Sequence, residues 1–394
     1  MSEPGPPIRP RSVYVHVPFC TKRCHYCDFS VARAKTPPID AYVDAVGRDL
    51  DQWWAELELA GRLDVDTIFI GGGTPSLLGA DGMRRLAGKL EERFDWDAET
   101  VEWTAEANPR SLTSDVCEAW RELGINRVSL GVQSFQDGPL EWLGRLHDAA
   151  EASAAVRRAR EGGFERINID LIFGLPADVE RDWPADVDRA CELGVTHVSA
   201  YGLTAEPRTP LGRWVDLGRV RMPDGTRYAR EYGQMAALLT AAGFEHYEVS
   251  NFARDGHASA HNWHYWDGSE YLGLGPSAHS QVGGERTWNV NRWDRYRRAA
   301  EAGESLREGR ERPDAEQRRL ERIWLGLRTS RGLPWKELAE ADEPENLTAW
   351  REAGWLTSDA EGFRLTTEGW LRLDQLSAEI ASWDPRPSGA SNRV

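Results

Sequence analysis

Short apolar runs alternate with longer segments of helical periodicity over the first 205 of the chain's 394 residues. Each run reads as continuously apolar, which is typical of parallel strands covered on both faces. The predicted strands are residues 12–17, 66–70, 101–107, 127–132, 166–173 and 197–202. The helical segments between them are residues 39–60, 80–93, 113–123, 138–162 and 180–193. Six successive strand–helix units predict an α/β fold, a partial six-unit parallel (β/α) barrel over residues 12–205.

The periodicity changes twice after this repeat. Pro207, Thr209 and Pro210 interrupt it, which disfavours a closed eight-unit barrel. Residues 206–312 are irregular apart from a helix near 225–242, and we expect them to form a connector that packs against the open side of the barrel. Residues 313–383 show helical patterns followed by two short strands and a final helix, which predicts a small C-terminal winged-helix-like α+β domain. Residues 1–11 and 384–394 are expected to be flexible tails.

Composition narrows the class of protein. The net charge of −16 argues against nucleic-acid binding, because neutralising phosphates requires a basic surface. The segment from Pro313 onward, with 11 basic and 15 acidic residues, is acidic too. No apolar run reaches the 18 or more residues of a membrane helix, and residues 1–11 contain no hydrophobic segment. We therefore expect a cytoplasmic protein without a transmembrane segment.

Three of the five cysteines, Cys20, Cys24 and Cys27, lie within eight residues in a C-x3-C-x2-C pattern. This spacing is too tight for a disulfide framework, which pairs cysteines spread along a small secreted domain. Zinc is one alternative, with His16 or His25 completing the ligand set. A 4Fe-4S cluster fits the pattern better, because three thiolates would leave one iron open to an exchangeable ligand.

The flanks of these cysteines are more specific than the spacing. Residues 14–29, YVHVPFCTKRCHYCDF, resemble the radical S-adenosylmethionine superfamily, and within it the oxygen-independent coproporphyrinogen III oxidase family and its haem-chaperone branch, HemW. The resemblance implies that the three cysteines hold a 4Fe-4S cluster. It also implies that S-adenosylmethionine binds the open iron, where members of the superfamily cleave it to a 5′-deoxyadenosyl radical.

Polar or glycine-rich residues follow nearly every predicted strand, at the end where barrel enzymes carry their reacting groups. By position, the resemblance assigns Gly73 and Thr74 to the amino group of S-adenosylmethionine and Glu106 to its ribose hydroxyls. The remaining residues that the resemblance implies as cofactor-binding are Tyr14, Gln133, Arg145 and Asp170. The alternative for residues 71–76 is a tight turn without a ligand. The alternative for the other residues is that they are ordinary polar residues at the barrel rim.

Two departures separate the chain from the decarboxylating oxidase. That oxidase has a further cysteine two residues after the last cluster cysteine, where this chain has Phe29, and a longer segment before the motif, where this chain has 13 residues. Residues 261–266, HNWHYW, resemble the haem-associated HNxxYW motif of HemW. A neutral imidazole suits haem iron, so His261 is the predicted axial ligand, with His264 and His279 as rivals. A histidine cluster in the core or a loop is the alternative.

Three functional hypotheses follow. The first is a haem chaperone that retains the cluster and the S-adenosylmethionine site and passes haem to an acceptor protein of unknown identity. The second is an oxygen-independent coproporphyrinogen III oxidase that acts by radical hydrogen abstraction. The third is a structural cluster protein without turnover. Phe29, the short N-terminal segment and HNWHYW favour the first hypothesis, which predicts no oxidase activity.

Overall fold

The structure is a computed structural model and describes residues 10–337 and 345–382. The predicted tails fall outside the described residues, apart from positions 10 and 11. Within the described ranges, no helix combines the length and apolar character that crossing a membrane requires.

The six predicted strands are confirmed, with ends that differ by at most two residues. They run parallel in a single sheet, in the spatial order of the chain. These strands are Ser12–Val17 (β1), Thr67–Gly72 (β2), Glu102–Ala107 (β3), Arg127–Gln133 (β4), Arg166–Phe173 (β5) and His197–Gly202 (β6). The helices of the same region are Ile39–Glu56, Gly79–Glu91, Ser114–Glu122, Asp137–Trp142, Ala149–Glu161 and Trp183–Glu192, with a 3-10 turn at Pro75–Leu78. This is the predicted partial parallel barrel.

The helix predicted over residues 138–162 is wrong in one respect, because it is two helices with a break at 143–148. Gly144 has a φ of +71°, which a continuous α-helix does not allow. Asp148 then starts the second helix with a capping box, in which it accepts from the Glu151 backbone and the Glu151 side chain accepts in return. The break brings Arg145 toward the barrel interior.

The six strands are not apolar on both faces, so that part of the prediction is also wrong. In β3 the residues Trp103 and Ala105 are buried against the outer helices, whereas Glu102, Thr104 and Glu106 alternate with them on the inner face. The same period of two occurs in the other five strands. The inner face is polar because it surrounds a cavity rather than a filled core.

The predicted connector does more than pack against the open side, because it extends the sheet at both edges. Glu245–Glu248 (β7) and Asn251–Ala253 (β8) join beside β6, with β8 antiparallel to it. Tyr271–Leu274 (β9) pairs parallel with β1 and is a seventh parallel strand. His279–Val282 (β10), Glu285–Asn289 (β11) and Arg307–Glu311 (β12) continue the sheet antiparallel. Its helices are Pro210–Asp216, Gly225–Ala241, Ala260–Trp266 and Trp293–Ala302.

A buried carboxylate fastens this extension to the barrel. Asp49, on the first helix, accepts hydrogen bonds from the Gly275 backbone, the Asn289 side chain and the Tyr296 hydroxyl. It also pairs with Arg307 in β12, and both side chains are at most 1% exposed. A buried charge with this many partners is satisfied, and removing one partner is costly. The network holds the loop after β9 and the strands β11 and β12 in register with the first helix.

The C-terminal region is a small α+β unit, as predicted. A three-stranded sheet is formed by Leu333–Pro334, Leu356–Ser358 and Gly362–Leu365. The helices are Ala315–Leu327, Glu345–Glu352, Thr367–Trp370 and Leu373–Ala381, with a 3-10 turn at Trp335–Glu337. The single final helix that the sequence predicts is two helices, Thr367–Trp370 and Leu373–Ala381. An ion pair between Arg328 and the buried Glu248 joins this unit to β7.

Candidate functional site

A cavity of about 760 Å³ opens at the carboxyl ends of the strands and continues down the inside of the barrel to Asn262. Nine of the predicted site residues line it together: Cys20, Cys24, Cys27, Gly73, Thr74, Glu106, Gln133, Arg145 and Asp170. Tyr14 and His261 do not line it. The Tyr14 hydroxyl lies 3.0 Å from His16 Nδ1 instead, so its predicted cofactor contact is indirect in this geometry.

The cysteine loop is held at the mouth of this cavity by backbone pairing. A short strand at Phe19–Cys20 pairs with Ala32–Arg33, which closes the loop, and the Cys27 backbone donates to the Cys24 carbonyl within it. Arg145 Nη1 lies 3.7 Å from Cys24 Sγ, and Thr74 Oγ1 lies 3.6 Å from Cys20 Sγ. A guanidinium beside a sulfur favours the thiolate, which is the form that binds iron.

Burial favours the neutral thiol at two of the three cysteines. Burial raises the pKa of Cys20, and it raises the pKa of Cys27 to about 11. In the described residues no three His, Cys, Asp or Glu side chains are close enough to bind a single ion. His16, an alternative zinc ligand, uses both ring nitrogens on Tyr14 and on the Ser30 carbonyl. The three thiols are therefore available to a larger inorganic group, and Cys117 and Cys191 do not line the cavity.

The glycine turn after β2 passes directly beneath the cysteine loop. Gly72 has a φ of +108°, and its backbone donates to Glu106 Oε2 at 3.0 Å. A Cβ on Gly73 would lie 2.6 Å from the Phe19 carbonyl oxygen, which no side chain allows. Glycine is required at Gly72 by its positive φ and the adjacent His16 ring, and at Gly73 by the close approach of the Phe19 backbone. The turn thereby brings Thr74 to Cys20.

Two carboxylates face each other across the cavity in a buried, acidic environment. Burial, together with the charge of Asp170, raises the pKa of Glu106 to about 8. Burial raises the pKa of Asp170 to about 6, although Asn168 donates to it at 2.9 Å. Both carboxyl groups hold protons more strongly than usual, which is typical of a site that is completed by a ligand with donors or positive charge.

Gln133 and Arg145 carry buried polar atoms without a partner. Gln133 has a φ of +70°, a left-handed conformation that costs free energy in a non-glycine residue. Its Oε1 atom and the Nε atom of Arg145 have no hydrogen bond, although Arg145 Nη2 donates to the Gly131 carbonyl at 2.7 Å. Both residues line the cavity, and an amide and a guanidinium there fit the amine and carboxylate of an amino acid. The donor set therefore fits the methionine part of S-adenosylmethionine.

The lower half of the cavity is polar as well, and sequence reasoning missed it. Arg127, Asn168, His197 and Ser199 line it. His197 is fully hydrogen-bonded, to Asn168 Oδ1 at 2.6 Å and to the Tyr247 hydroxyl at 2.7 Å. The sequence does contain a signal for this region, because polar residues occupy every second position of the predicted strands.

The mouth of the cavity is unusually apolar for an exposed surface. Phe29 is 61% exposed, Tyr201 46% and Leu146 43%, and all three line the opening. Lys22 and Arg23, in the cysteine loop, also line the cavity. Exposed apolar groups beside cations suit a flat amphipathic ligand with acidic groups.

The HNWHYW segment lies at the opposite end of the barrel. It forms the helix Ala260–Trp266, capped by Ser259, and His261 is 1% exposed. His261 Nδ1 lies 2.8 Å from Thr67 Oγ1, and Nε2 lies 2.9 Å from the Tyr265 hydroxyl. Burial lowers the pKa of His261 to about 3, so the ring is neutral. Ligation of haem iron by His261 would require this helix to leave its position, and the ligand role stays a prediction.

The chain is similar to known proteins over most of its length. The radical SAM superfamily matches residues 14–190, and the HemN C-terminal domain matches residues 314–372. The chain is 39% identical to heme chaperone HemW of Mycobacterium tuberculosis over 93% of this chain and 94% of that protein. It is 37% identical to heme chaperone HemW of Bacillus subtilis over 84% of this chain and 86% of that protein.

Among solved structures, coproporphyrinogen III oxidase (HemN) from Escherichia coli, a radical SAM enzyme, is similar with a TM-score of 0.78. The two chains are 24% identical, and the similarity covers 96% of this chain and 91% of that one. This likeness concerns the fold, including the small C-terminal domain.

Proposed function

This chain belongs to the HemW family of heme chaperones, within the radical SAM superfamily, and from that premise we propose that it binds haem and passes it to an acceptor protein. The similarity to HemW proteins over most of both lengths is the observation that carries the proposal. The apolar, exposed Phe29 at the cavity mouth supports it, because the decarboxylating oxidase is expected to have a cysteine there.

Cys20, Cys24 and Cys27 are the proposed ligands of a 4Fe-4S cluster. Such a cluster supplies an open iron and a source of single electrons when it is bound. The protein's own contribution is to hold three thiols on one loop at the cavity mouth and to place Arg145 beside Cys24.

S-adenosylmethionine is proposed to occupy the upper cavity. Gly73 and Thr74 would hold its amino group, Glu106 its ribose hydroxyls, and Gln133 and Arg145 the methionine part, with Asp170 opposite Glu106. The support is local: Gln133 and Arg145, with their unpartnered atoms, and the two carboxyl groups with raised pKa values all belong to residues that line this cavity.

Haem transfer is the test of the function. Protein with a reconstituted cluster is loaded with haem under anaerobic conditions, freed of excess, and mixed with an apo-haemoprotein whose Soret band differs from that of the complex. We expect the acceptor spectrum to appear faster when haem comes from this protein than when it comes from free haem. Serum albumin is present in both samples as a competing haem binder. Haem that never leaves the chain, or that transfers only at the rate set by albumin, would contradict a chaperone role.

A second candidate is the decarboxylation of coproporphyrinogen III, favoured by the predicted S-adenosylmethionine residues other than Tyr14, which line one deep cavity. Anaerobic incubation of the reconstituted protein with coproporphyrinogen III, S-adenosylmethionine and a reductant separates the two functions. The chaperone proposal predicts no protoporphyrinogen. Its formation at catalytic yield would replace the proposal with the oxidase.

A further inference from the structure

A series of buried hydrogen bonds runs from Asp170, in the upper cavity, to the start of the HNWHYW helix at the other end of the barrel. Asn168 on β5 donates to Asp170 Oδ1 at 2.9 Å, and Asn168 Oδ1 lies 2.6 Å from His197 Nδ1 on β6. His197 Nε2 lies 2.7 Å from the Tyr247 hydroxyl on β7, which accepts from the Ser259 backbone at 3.3 Å. All but Asp170 are at most 5% exposed. These five residues form the lumen network.

Every link of the lumen network donates toward Asp170. An ionised carboxylate only accepts, so Asn168 turns its amide nitrogen to Asp170 and its oxygen to His197. Burial lowers the pKa of His197 well below its usual value, so the ring is neutral. With Nδ1 donating to Asn168, Nε2 accepts from Tyr247, and the Tyr247 oxygen accepts from Ser259. Hydrogen bonds aligned in one direction polarise one another, so a change at Asp170 affects the bond at Ser259.

The far end of the lumen network holds the HNWHYW helix. Ser259 is the N-cap of this helix, and its backbone N–H is the last donor of the network. Tyr247 also packs against the helix, with its ring 5.9 Å from the Trp263 ring and 5.8 Å from the Trp266 ring. Tyr247 is not among the residues that line the cavity. Its hydroxyl can therefore be removed without changing a cavity-lining side chain.

The near end of the lumen network lies among the residues proposed to bind S-adenosylmethionine. Asp170 lines the cavity together with Glu106 and Arg145. S-adenosylmethionine carries a sulfonium and an ammonium group, and positive charge beside a carboxyl group favours the ionised form, which is the stronger acceptor. Binding should therefore strengthen the bond from Asn168 and, through the aligned links, the bond that holds Ser259.

We infer that the lumen network couples the cofactor site to the HNWHYW helix, so that bound S-adenosylmethionine holds the start of this helix in place and loss of the ligand loosens it. The inference rests on the proposed S-adenosylmethionine site and does not depend on which residue binds haem. Occupancy of the cofactor site thereby regulates the helix. His197 and Tyr247 are positioning residues that act through Asn168.

Amide hydrogen exchange of residues 261–267 tests the coupling in the anaerobic, cluster-loaded protein, without a reductant so that S-adenosylmethionine stays intact. In the wild type, saturating S-adenosylmethionine should slow this exchange at least about fivefold, the lower end of typical couplings between two sites. Tyr247→Phe keeps the ring but breaks two links, so the slowing should disappear. The affinity for S-adenosylmethionine should stay within about twofold, because the helix is closed in most molecules with or without the ligand.

Tyr265→Phe is the matched control. The Tyr265 hydroxyl lies 2.9 Å from His261 Nε2, so its loss also loosens the helix, but Tyr265 is not part of the lumen network. Exchange should be faster both with and without S-adenosylmethionine, and the ratio of the two rates should stay as in the wild type. His197→Phe breaks the network at another link and should behave like Tyr247→Phe. It decides the test if Tyr247→Phe does not take up the cluster.

Loss of the slowing only in the network variants would support the inference. Slowing that persists in Tyr247→Phe and His197→Phe would overturn it, because general stabilisation by a bound ligand needs no network. Wild-type protein that binds S-adenosylmethionine by calorimetry but shows no slowing would also overturn it and leave the cofactor site in place. Wild-type protein that binds no S-adenosylmethionine would instead overturn the proposed site.

Discussion

The cysteine loop and the HNWHYW segment are similarly specific motifs at opposite ends of the barrel. They differ in whether the polar side chains around them have hydrogen-bond partners. At the carboxyl ends, Gln133 and Arg145 line the cavity, and each carries a buried polar atom without a hydrogen-bond partner. At the amino ends, His261 has both ring nitrogens satisfied, and its backbone donates to Glu102 at 3.0 Å. Buried polar atoms without partners are costly, so a protein retains them where a ligand completes them.

A specific motif such as HNWHYW is therefore not by itself a binding site. The cysteine loop and its surroundings are built to receive something, whereas the HNWHYW helix closes the bottom of the barrel around Thr67 and Tyr265. Substitutions at the two ends should therefore have different effects, on ligand binding at the cavity and on stability at the HNWHYW helix.

The largest effect is expected from the cysteines. Cys20→Ala, Cys24→Ala or Cys27→Ala should abolish the charge-transfer absorbance and the bound iron, because no other thiol lines the cavity. Cys117→Ala, at a buried thiol outside the cavity, is the control and should keep a full cluster. Equal iron loss in the control would refute the assignment.

Glu106→Ala should weaken S-adenosylmethionine binding about ten- to a hundredfold. The reason is the loss of a charged hydrogen bond, worth about 1.5–3 kcal/mol, to the ribose hydroxyls. Anaerobic calorimetry measures it, with Glu141→Ala, an exposed carboxylate on the neighbouring helix, as the matched control. Binding as tight as in the wild type would remove Glu106 from the site.

His261→Ala tests the closed end. It removes the partner of the Tyr265 hydroxyl and one of the two partners of the Thr67 hydroxyl, so the free energy of unfolding should fall by about 1–3 kcal/mol. S-adenosylmethionine affinity should stay within about twofold, since the helix does not contribute this side chain to the cavity. Denaturant unfolding and calorimetry measure the two quantities. A stable variant with lost cofactor binding would reverse the comparison.

The smallest effect concerns pH. The pKa of Glu106 is raised to about 8, so its carboxyl group is protonated at pH 7 when the site lacks its ligand, and hydroxyl donors from a ribose favour the ionised form. S-adenosylmethionine binding at pH 7 should therefore release a proton. Affinity should rise up to about tenfold per unit as the pH approaches 8 and level off above it. Calorimetry in two buffers of different ionisation enthalpy measures the proton count, and Glu106→Gln should abolish the release. No release in the wild type would contradict a protonated Glu106.

Much of the barrel follows from local sequence, because buried parallel strands and capped helices are encoded within a few residues of each other. The predicted strand ends lie within two residues of the observed ones, and the largest difference is at β2, which continues through Gly71 to Gly72. The apolar outer positions, such as Trp103 and Ala105, obscured the period of two that the polar inner positions show. That alternation was readable and would have revealed Arg127, Asn168 and His197.

Other features depend on contacts between distant residues. β9 pairs with β1 across more than 250 residues, and its register is fixed by Asp49 on the first helix. The positive φ of Gln133 and its unpartnered oxygen depend on the packing of β4 against its neighbours. Whether His261 faces iron or Thr67 depends on where its helix lies, and a motif cannot specify that position.

The most direct test of the central claim is an anaerobic equilibrium titration of the cluster-loaded wild-type protein with haem. We predict a saturable Soret change at one haem per chain, with the charge-transfer absorbance and S-adenosylmethionine affinity retained throughout. A protein that holds its cluster and S-adenosylmethionine but shows no saturable haem binding would contradict it.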